Sequence, residues 1–225
     1  MIAMKTSLPS LVLASALAAS ALALASAGGA HAQSAAQSAA ATQDSPSRMV
    51  LDNSQRILST LESRRAEFQK NRAALEQFVS GEFDAMFDRD YAARQVLGRH
   101  GRGASDADVK LFADALSDSL MRRYGSALLD FNTRLKVRIK SETTLPRGLG
   151  VKVSSELLRQ GGEPIPVDYL LRRSGSGWKV FDVMVEGVSF VQTFRQQFDA
   201  ELARKSIRQV AADLASGKVQ ADAGH

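Results

Sequence analysis

The chain has 225 residues, no cysteine and three histidines, and its 29 Lys and Arg against 24 Asp and Glu give a formal net charge of +5. Without cysteine there is no disulfide and no thiolate ligand or nucleophile, and so few histidines leave a zinc centre almost no material. Stability has to come from apolar burial, for which a domain of this length suffices.

Residues 1–32 read as a signal peptide: Lys5 precedes an Ala/Leu run from Leu8 to Ala27, and Ala30-His31-Ala32 offers a small-x-small cleavage site. About 20 apolar residues could also serve as an uncleaved anchor, but the Ala-rich composition and the cleavage site favour removal. Residues 33–47 (QSAAQSAAATQDSPS) form a polar, low-complexity, disordered tether too poor in apolar surface to pack. Residues 48–216 are expected to form one domain and residues 217–225 a tail. No later run reaches membrane-spanning length. Only Lys5 of the basic residues lies in the leader, so the exported part stays basic. Export argues against nucleic acid as a partner and leaves an anionic membrane surface or an acidic protein.

Val50, Ile57, Leu61, Phe68 and Leu75 fall near one helical face, with Arg56, Glu62, Arg64, Arg65, Glu67, Lys70 and Arg72 on the wet side. Gly81 is expected to end or bend this helix. Phe83, Phe87 and Tyr91, at steps of four, predict a shorter helix ending near Leu97-Gly98. Arg99 to Gly103 is a basic, Gly-rich loop holding His100, read as a solvent-exposed loop residue. Ser105 followed by Asp106 and Asp108 predicts a helix start. Phe112, Leu116, Leu120, Tyr124, Leu128 and Phe131 carry an apolar stripe along that helix.

The period then changes from helical to two. Thr133 to Lys140 alternates basic and apolar residues, Val151 to Ser154 alternates again, and Pro164 to Arg173 and Trp178 to Val185 give a third and a fourth strand. Turns fall at Pro146-Arg147-Gly148, Gly161-Gly162 and Ser174 to Gly177, and Pro166 suggests an edge or a strand beginning. Four strands joined by short turns favour an antiparallel sheet. Helices before and after it make an α+β fold, a four-stranded twisted sheet packed against several helices on one face. Glu186-Gly187 breaks the last strand. Val191, Phe194, Phe198 and Leu202 then return to helical spacing, and Ile207, Val210, Ala211 and Leu214 predict a final short helix.

Little in the chain is equipped for covalent chemistry. Ser189 lacks the second glycine of a G-x-S-x-G elbow, because position 191 is Val. Asp182 and Glu186, four apart on a strand, share a face and could act as an acid–base pair. More commonly such carboxylates accept bonds from Arg or Lys, with Arg195 near in sequence. No glycine motif for phosphate is present. No catalytic residue, metal ligand or cofactor is assigned. The inward strand positions are Leu135, Val137 and Ile139; Val151 and Val153; Ile165, Val167 and Tyr169; Val183 and Val185. An ordinary core and a lipid cavity would use these same residues, and only unfilled volume separates the two.

The stretch WKVFDVMVEGVSFVQTFRQQF, Trp178 to Phe198, resembles the MlaC family through W-K-V-[FY]-D-V-x-x-E-G-V-S-x-V followed by R-x-x-F. Phe87-Asp88, Ala92-Ala93-Arg94 and Val96-Leu97-Gly98 resemble its F-D…A-R-x-V-L-G element. Phe112, Leu120, Tyr124 and Leu128 are similar to its F…L…Y…L helix, and Pro164 to Tyr169 to its strand before the Trp hairpin. One departure is Gly101, where many members carry Trp. The resemblance implies a monomeric, non-enzymatic periplasmic carrier of phospholipid between outer and inner membranes, maintaining outer-membrane asymmetry and linked to toluene tolerance. It further implies an apolar pocket between sheet and helices, lined on this reading by Val137, Ile139, Val153, Val167, Tyr169, Val183, Val185, Val188, Phe190 and Phe194. The implied partners are an inner-membrane ATP-driven complex and an outer-membrane lipoprotein–porin assembly. Arg134, Lys136, Arg138 and Lys140 form a basic stripe that would steer docking or only solvate the strand. The rival readings are a protein-interaction module with a filled core and a periplasmic hydrolase using Asp182 and Glu186.

Overall fold

The computed structural model describes residues 45–125, 129 and 135–222. The signal peptide, nearly all of the tether, Leu128, Phe131 and Arg134 lie outside them.

Three consecutive helices come first: α1 (Pro46–Ser63), α2 (Arg65–Lys70) and α3 (Arg72–Met86). The tether's last two residues thus belong to α1. The single helix expected over this region is broken at Arg64 and Asn71. Asn71 leaves helical geometry (φ −130°, ψ 89°), and its side chain accepts from the Ala74 N–H, so it starts a new helix. Gly81 neither ends nor bends α3, which continues to Met86.

The chain then inserts Phe87-Asp88 beside the sheet. The Asp88 N–H donates to the Val180 carbonyl at 2.8 Å, and Phe87 bridges Val180 in parallel. This insertion divides the helix expected from Phe83 through Tyr91. Phe83 stays in α3, stacked on Phe87 at 4.1 Å, and Tyr91 lies in α4 (Arg89–Leu97), which Asp88 caps. A 3-10 turn, Gly98–Gly101, and α5 (Asp106–Tyr124) follow, with Ser105 capping α5 as expected.

The sheet has five antiparallel strands in sequential order: β1 (Lys136–Thr144), β2 (Val151–Leu158), β3 (Ile165–Ser174), β4 (Gly177–Val185) and the short β5 (Val188–Ser189). The fifth strand follows from Glu186-Gly187. Both residues have positive φ (51° and 85°), the geometry that a two-residue hairpin needs to match strand twist. Pro166 is the second residue of β3, a strand interior to the sheet, so it marks a beginning and not an edge. After β5 come α6 (Phe190–Leu202) and α7 (Ile207–Ala215). The α+β architecture stands as expected, with one strand more.

The buried apolar residues do not form one core. Helices α4 to α7 enclose a cluster around Phe112, Phe198, Leu97, Val109, Val210 and Leu214. A second cluster joins the sheet to α1 and the end of α3 through Val50, Met86, Val151, Val153, Leu171 and Val180. A third, around Leu61, Phe68 and Leu75, lies within α1 to α3. Among the described residues no strand residue joins the first or third cluster, and Ile57 packs against both second and third.

Candidate functional site

The Trp178–Phe198 motif holds the sheet to α6. Asp182 is almost fully buried. Its carboxylate accepts from the Ser189 hydroxyl at 2.6 Å and from the Val191 N–H at 3.0 Å. Ser189 in turn caps α6 by accepting from the Gln192 N–H. Glu186-Gly187 supplies the hairpin, so D-V-x-x-E-G-V-S encodes strand, turn and helix cap in succession. Arg195 donates from Nε to the Gln95 carbonyl at 2.7 Å, tying α6 to the last turn of α4. The geometry gives Asp182 and Glu186 separate environments, one inside and one in an exposed turn. Asp182 takes its bonds from Ser189 and Val191, not from Arg195.

Burial pushes the Asp182 carboxyl up from its ordinary range, and the bonds from Ser189 and the backbone only partly oppose this. The native state therefore holds that proton more tightly than the unfolded chain does. The resulting stability is complete below the unfolded pKa of about 3.9 and is lost as pH rises through the higher native value. Asp182→Asn cannot titrate. Denaturant titrations across pH are expected to show wild type losing stability relative to this variant as pH rises from acid, then levelling off. A pH-independent difference would refute this reading.

Strand register settles which side chains share a face. Val137 lies opposite Leu157, which lies opposite Ile165. Ile139, Ser155, Val167, Val185 and Val188 form the next row, and Val153, Tyr169 and Val183 the next. Val151, Leu171 and Val180 follow. Eight of the ten residues singled out from sequence thus sit together on one apolar face: Val137, Ile139, Val153, Val167, Tyr169, Val183, Val185 and Val188. Ser155, the polar member of that face, donates its hydroxyl to the Val167 carbonyl at 2.8 Å and so costs little there.

The α1 helix crosses this face. Its first turn is held by Glu142 of β1, whose carboxylate accepts from the Ser47 N–H at 3.2 Å and hydroxyl at 2.7 Å. A bulge between Ile139 and Ser141 shifts the strand phase and places Glu142 opposite Val153, where a negative charge meets the positive end of the helix dipole. Val50, Ser54, Ile57 and Leu61 follow at steps of four, three and four. Ser54 is bonded to the Tyr169 phenol, and burial of that phenol pushes its pKa up.

Cover on the face is graded. Val151, Val153, Leu171 and Val180 are at most 8% exposed beneath Val50 and Met86. At the other end Val137, Leu157, Ile165 and Val185 are only partly buried, Val188 is 47% exposed, and none of these five packs into any of the three clusters. The face is therefore fully covered at the Trp178 end and partly covered towards Glu186-Gly187, and we call this graded face between α1 and the sheet the trough. Phe194 lies apart from it. It is buried in the helical cluster 6.5 Å from Phe198, and Phe190 packs against that cluster too. Helical spacing could not tell a helix-facing phenylalanine from a sheet-facing one.

Two surface clefts lie elsewhere. One of about 340 Å³ is bordered by Asp84, Asp88, Arg89, Lys110 and Asp114. The other, about 550 Å³, lies at the sealed end among Tyr91, Leu149, Arg172, Arg173 and Trp178. Neither contains any of the ten residues predicted to line a pocket. His100 is less exposed than its loop suggested: its ring is 18% exposed and lies 2.9 Å from Asp199, which also meets Arg99 at 2.8 Å. The basic stripe is partly neutralised, since Arg138 and Lys140 both reach Glu156. Among the described residues, no cluster of three acidic or histidine side chains is arranged to hold a metal, and no helix is long and apolar enough to cross a membrane.

The sequence profile described as MlaC protein matches residues 51–216. The chain belongs to the MlaC family. Within curated proteins it is similar to the toluene tolerance protein ttg2D of Pseudomonas putida, 26% identical over 186 residues that cover 79% of this chain and 85% of the relative. Among solved structures it is similar to a phospholipid-binding protein from Ralstonia solanacearum, determined in complex with a phospholipid. That likeness has a TM-score of 0.67 at 22% identity and covers 76% of this chain and 94% of the other. It shows that the two share a fold. In this MlaC chain the profile spans the whole sheet and most of each cluster, with Val50 and Ala221 just outside it. At Gly101 a Cβ would stand 3.0 Å from the Leu97 Cβ, so the turn leaves little room for a side chain there.

Proposed function

We propose that the chain is a periplasmic phospholipid-binding shuttle, non-enzymatic and exported by residues 1–32. It carries lipid between outer and inner membranes with the acyl chains in the trough between α1 and the sheet. The observation that carries this reading is the in-register apolar face whose outer residues, Val137, Leu157, Ile165, Val185 and Val188, are incompletely buried and join no core cluster. A filled core would have closed over those residues. Membership of a family of lipid carriers and the fold shared with a phospholipid-binding protein support it.

The energetics require such a face. At about 0.8 kcal/mol per CH₂, a chain of roughly 16 carbons gains on the order of 12 kcal/mol in a bilayer, so a soluble carrier must offer comparable dry burial. Branched aliphatic rows under an amphipathic helix supply it, and the Ser155 hydroxyl among them is already bonded to the Val167 carbonyl. The headgroup stays at the open end, by Val188 and Glu186-Gly187. Transfer is passive, and direction comes from the membrane partners, an inner-membrane ATP-driven complex and an outer-membrane lipoprotein–porin assembly. Asp182 is occupied in capping α6, so the reading assigns no catalytic residue.

Native mass spectrometry of the purified mature protein, with lipid extraction beside it, is expected to show stoichiometric phospholipid released only on denaturation. A clean apo mass, together with failure to take lipid from vesicles, would refute the carrier and leave a protein-interaction module.

A further inference from the structure

Tyr169 is the largest side chain in the three rows nearest the open end, and it stands where the trough changes from partly open to sealed. Toward the mouth lie the row of Val167, which with Ser155 is buried at 9% and 3% exposure while Val185 stays partly exposed, and then the partly exposed row of Ile165. Beyond it lie Val151, Leu171 and Val180, at 8%, 0% and 0% exposure, with Val50 of α1 at 0% above them. The Tyr169 phenol is bonded to Ser54 of α1, so one side chain connects the sheet floor to the helical roof. Yet Tyr169 keeps some exposed surface and is not sealed like its deeper neighbours. The partly exposed path along Val185 and Val183 of β4 therefore reaches its ring and stops there, since Val180 beyond is fully buried.

From Tyr169 to Ile165 is four strand residues, about 13 Å at roughly 3.3 Å per residue. One leaflet of a bilayer's hydrocarbon core is about 15 Å thick, half of roughly 30 Å, and an acyl chain spans it. The trough is thus about as long as one membrane acyl chain. We propose that Tyr169, fixed by Ser54, is the end stop of the trough and sets the length of acyl chain the protein accepts. This rests on the carrier reading above and adds chain-length selectivity to it.

A stop can be moved in two directions. Val167→Phe, one row nearer the mouth, brings the floor forward by about two residues, roughly 6–7 Å. Tyr169→Ala removes the stop. Val167 is 9% exposed and joins none of the packed clusters, so a larger side chain there adds bulk to the trough beside Val185; Val167→Leu is a milder version of the same change. Tyr169→Phe keeps the ring and loses only the bond to Ser54.

Each mature protein would be incubated with vesicles of equimolar dilauroyl, dipalmitoyl and diarachidoyl phosphatidylglycerol, re-isolated, and its bound lipid read by native mass spectrometry. Circular dichroism confirms folding. Val167→Phe is expected to shift bound lipid towards the dilauroyl species by several-fold, and Val167→Leu by less in the same direction. Tyr169→Ala is expected to shift it towards the diarachidoyl species, while Tyr169→Phe stays near wild type. Folded Val167 variants that hold lipid with an unchanged distribution would overturn the proposal and leave the carrier reading intact. Wild type that takes up no lipid would overturn the carrier reading, and the end stop with it.

Discussion

Replacing Phe198 with Ala is expected to cost about 3–5 kcal/mol, measured as a fall in the denaturant midpoint with the slope retained. Phe198 is fully buried. Its ring meets Phe112 edge-on at 5.6 Å and 88°, and Phe194 lies 6.5 Å away. The cluster it occupies is built by four helices with no strand behind it, so no sheet residue can move in to fill the void. The cost compares with a total stability of about 5–15 kcal/mol for a typical domain. A double-mutant cycle with Phe112→Ala should recover a coupling of about 1 kcal/mol from the edge-to-face pair. A Phe198→Ala loss below about 1 kcal/mol would show that the helical cluster repacks freely.

Gly150→Ala should be comparably damaging for a different reason. Gly150 begins the turn into β2 with φ 139°, and a Cβ there would stand 1.9 Å from the Leu171 carbonyl oxygen and 2.9 Å from its carbon. Those atoms are backbone of an interior strand and cannot swing aside. Backbone strain of about 1–3 kcal/mol adds to a similar cost of pushing β2 from β3, so a loss of about 3 kcal/mol or more is expected by thermal or chemical unfolding. The damage falls on the Val151–Leu171 pair, the sealed end of the trough. Gly81→Ala is the matching control: nothing lies within 4 Å of its Cβ position, and Ala favours helix, so it should be neutral or slightly stabilising.

The strand faces were legible in the sequence because side-chain direction alternates strictly, and each short turn fixes the register of the next strand. Eight of the predicted lining residues therefore share a face even across two bulges. The Ser105 cap was legible through its own local chemistry, and Glu186-Gly187 was legible as a break but not as a hairpin, because a two-residue β5 is too short to leave an alternating pattern. The break at Asn71 carried a signal, a capping residue ahead of Ala-Ala-Leu-Glu, but the apolar face continues past it, and periodicity overrode the cap. The Phe87-Asp88 insertion carried none. Both positions read as helix until β4 is beside them to take the Asp88 N–H. Phe194 was misplaced because a helix following a strand can turn its apolar side towards the sheet or towards other helices, and that choice is made by α4 and α5. The division of the core into three lay beyond any residue pattern, since it depends on which apolar faces fail to meet.

That division bears on how the molecule holds together. The helical block and the sheet with α1 are joined by polar ties, Asp182 to the start of α6 and Asp88 to Val180 and Arg172, and by the Tyr91 ring of α4 against Phe181 and Arg172. Amide exchange in the empty protein should therefore report two opening energies, a higher one for α5 and α6 and a lower one for α1 with the outer rows of β1. Cargo would then act as a missing piece of core, supplying the apolar contacts that let the two blocks melt as one. Loading would be read as a sharper transition as well as a later one, and unloading would leave a carrier that has already begun to loosen where the next lipid must enter.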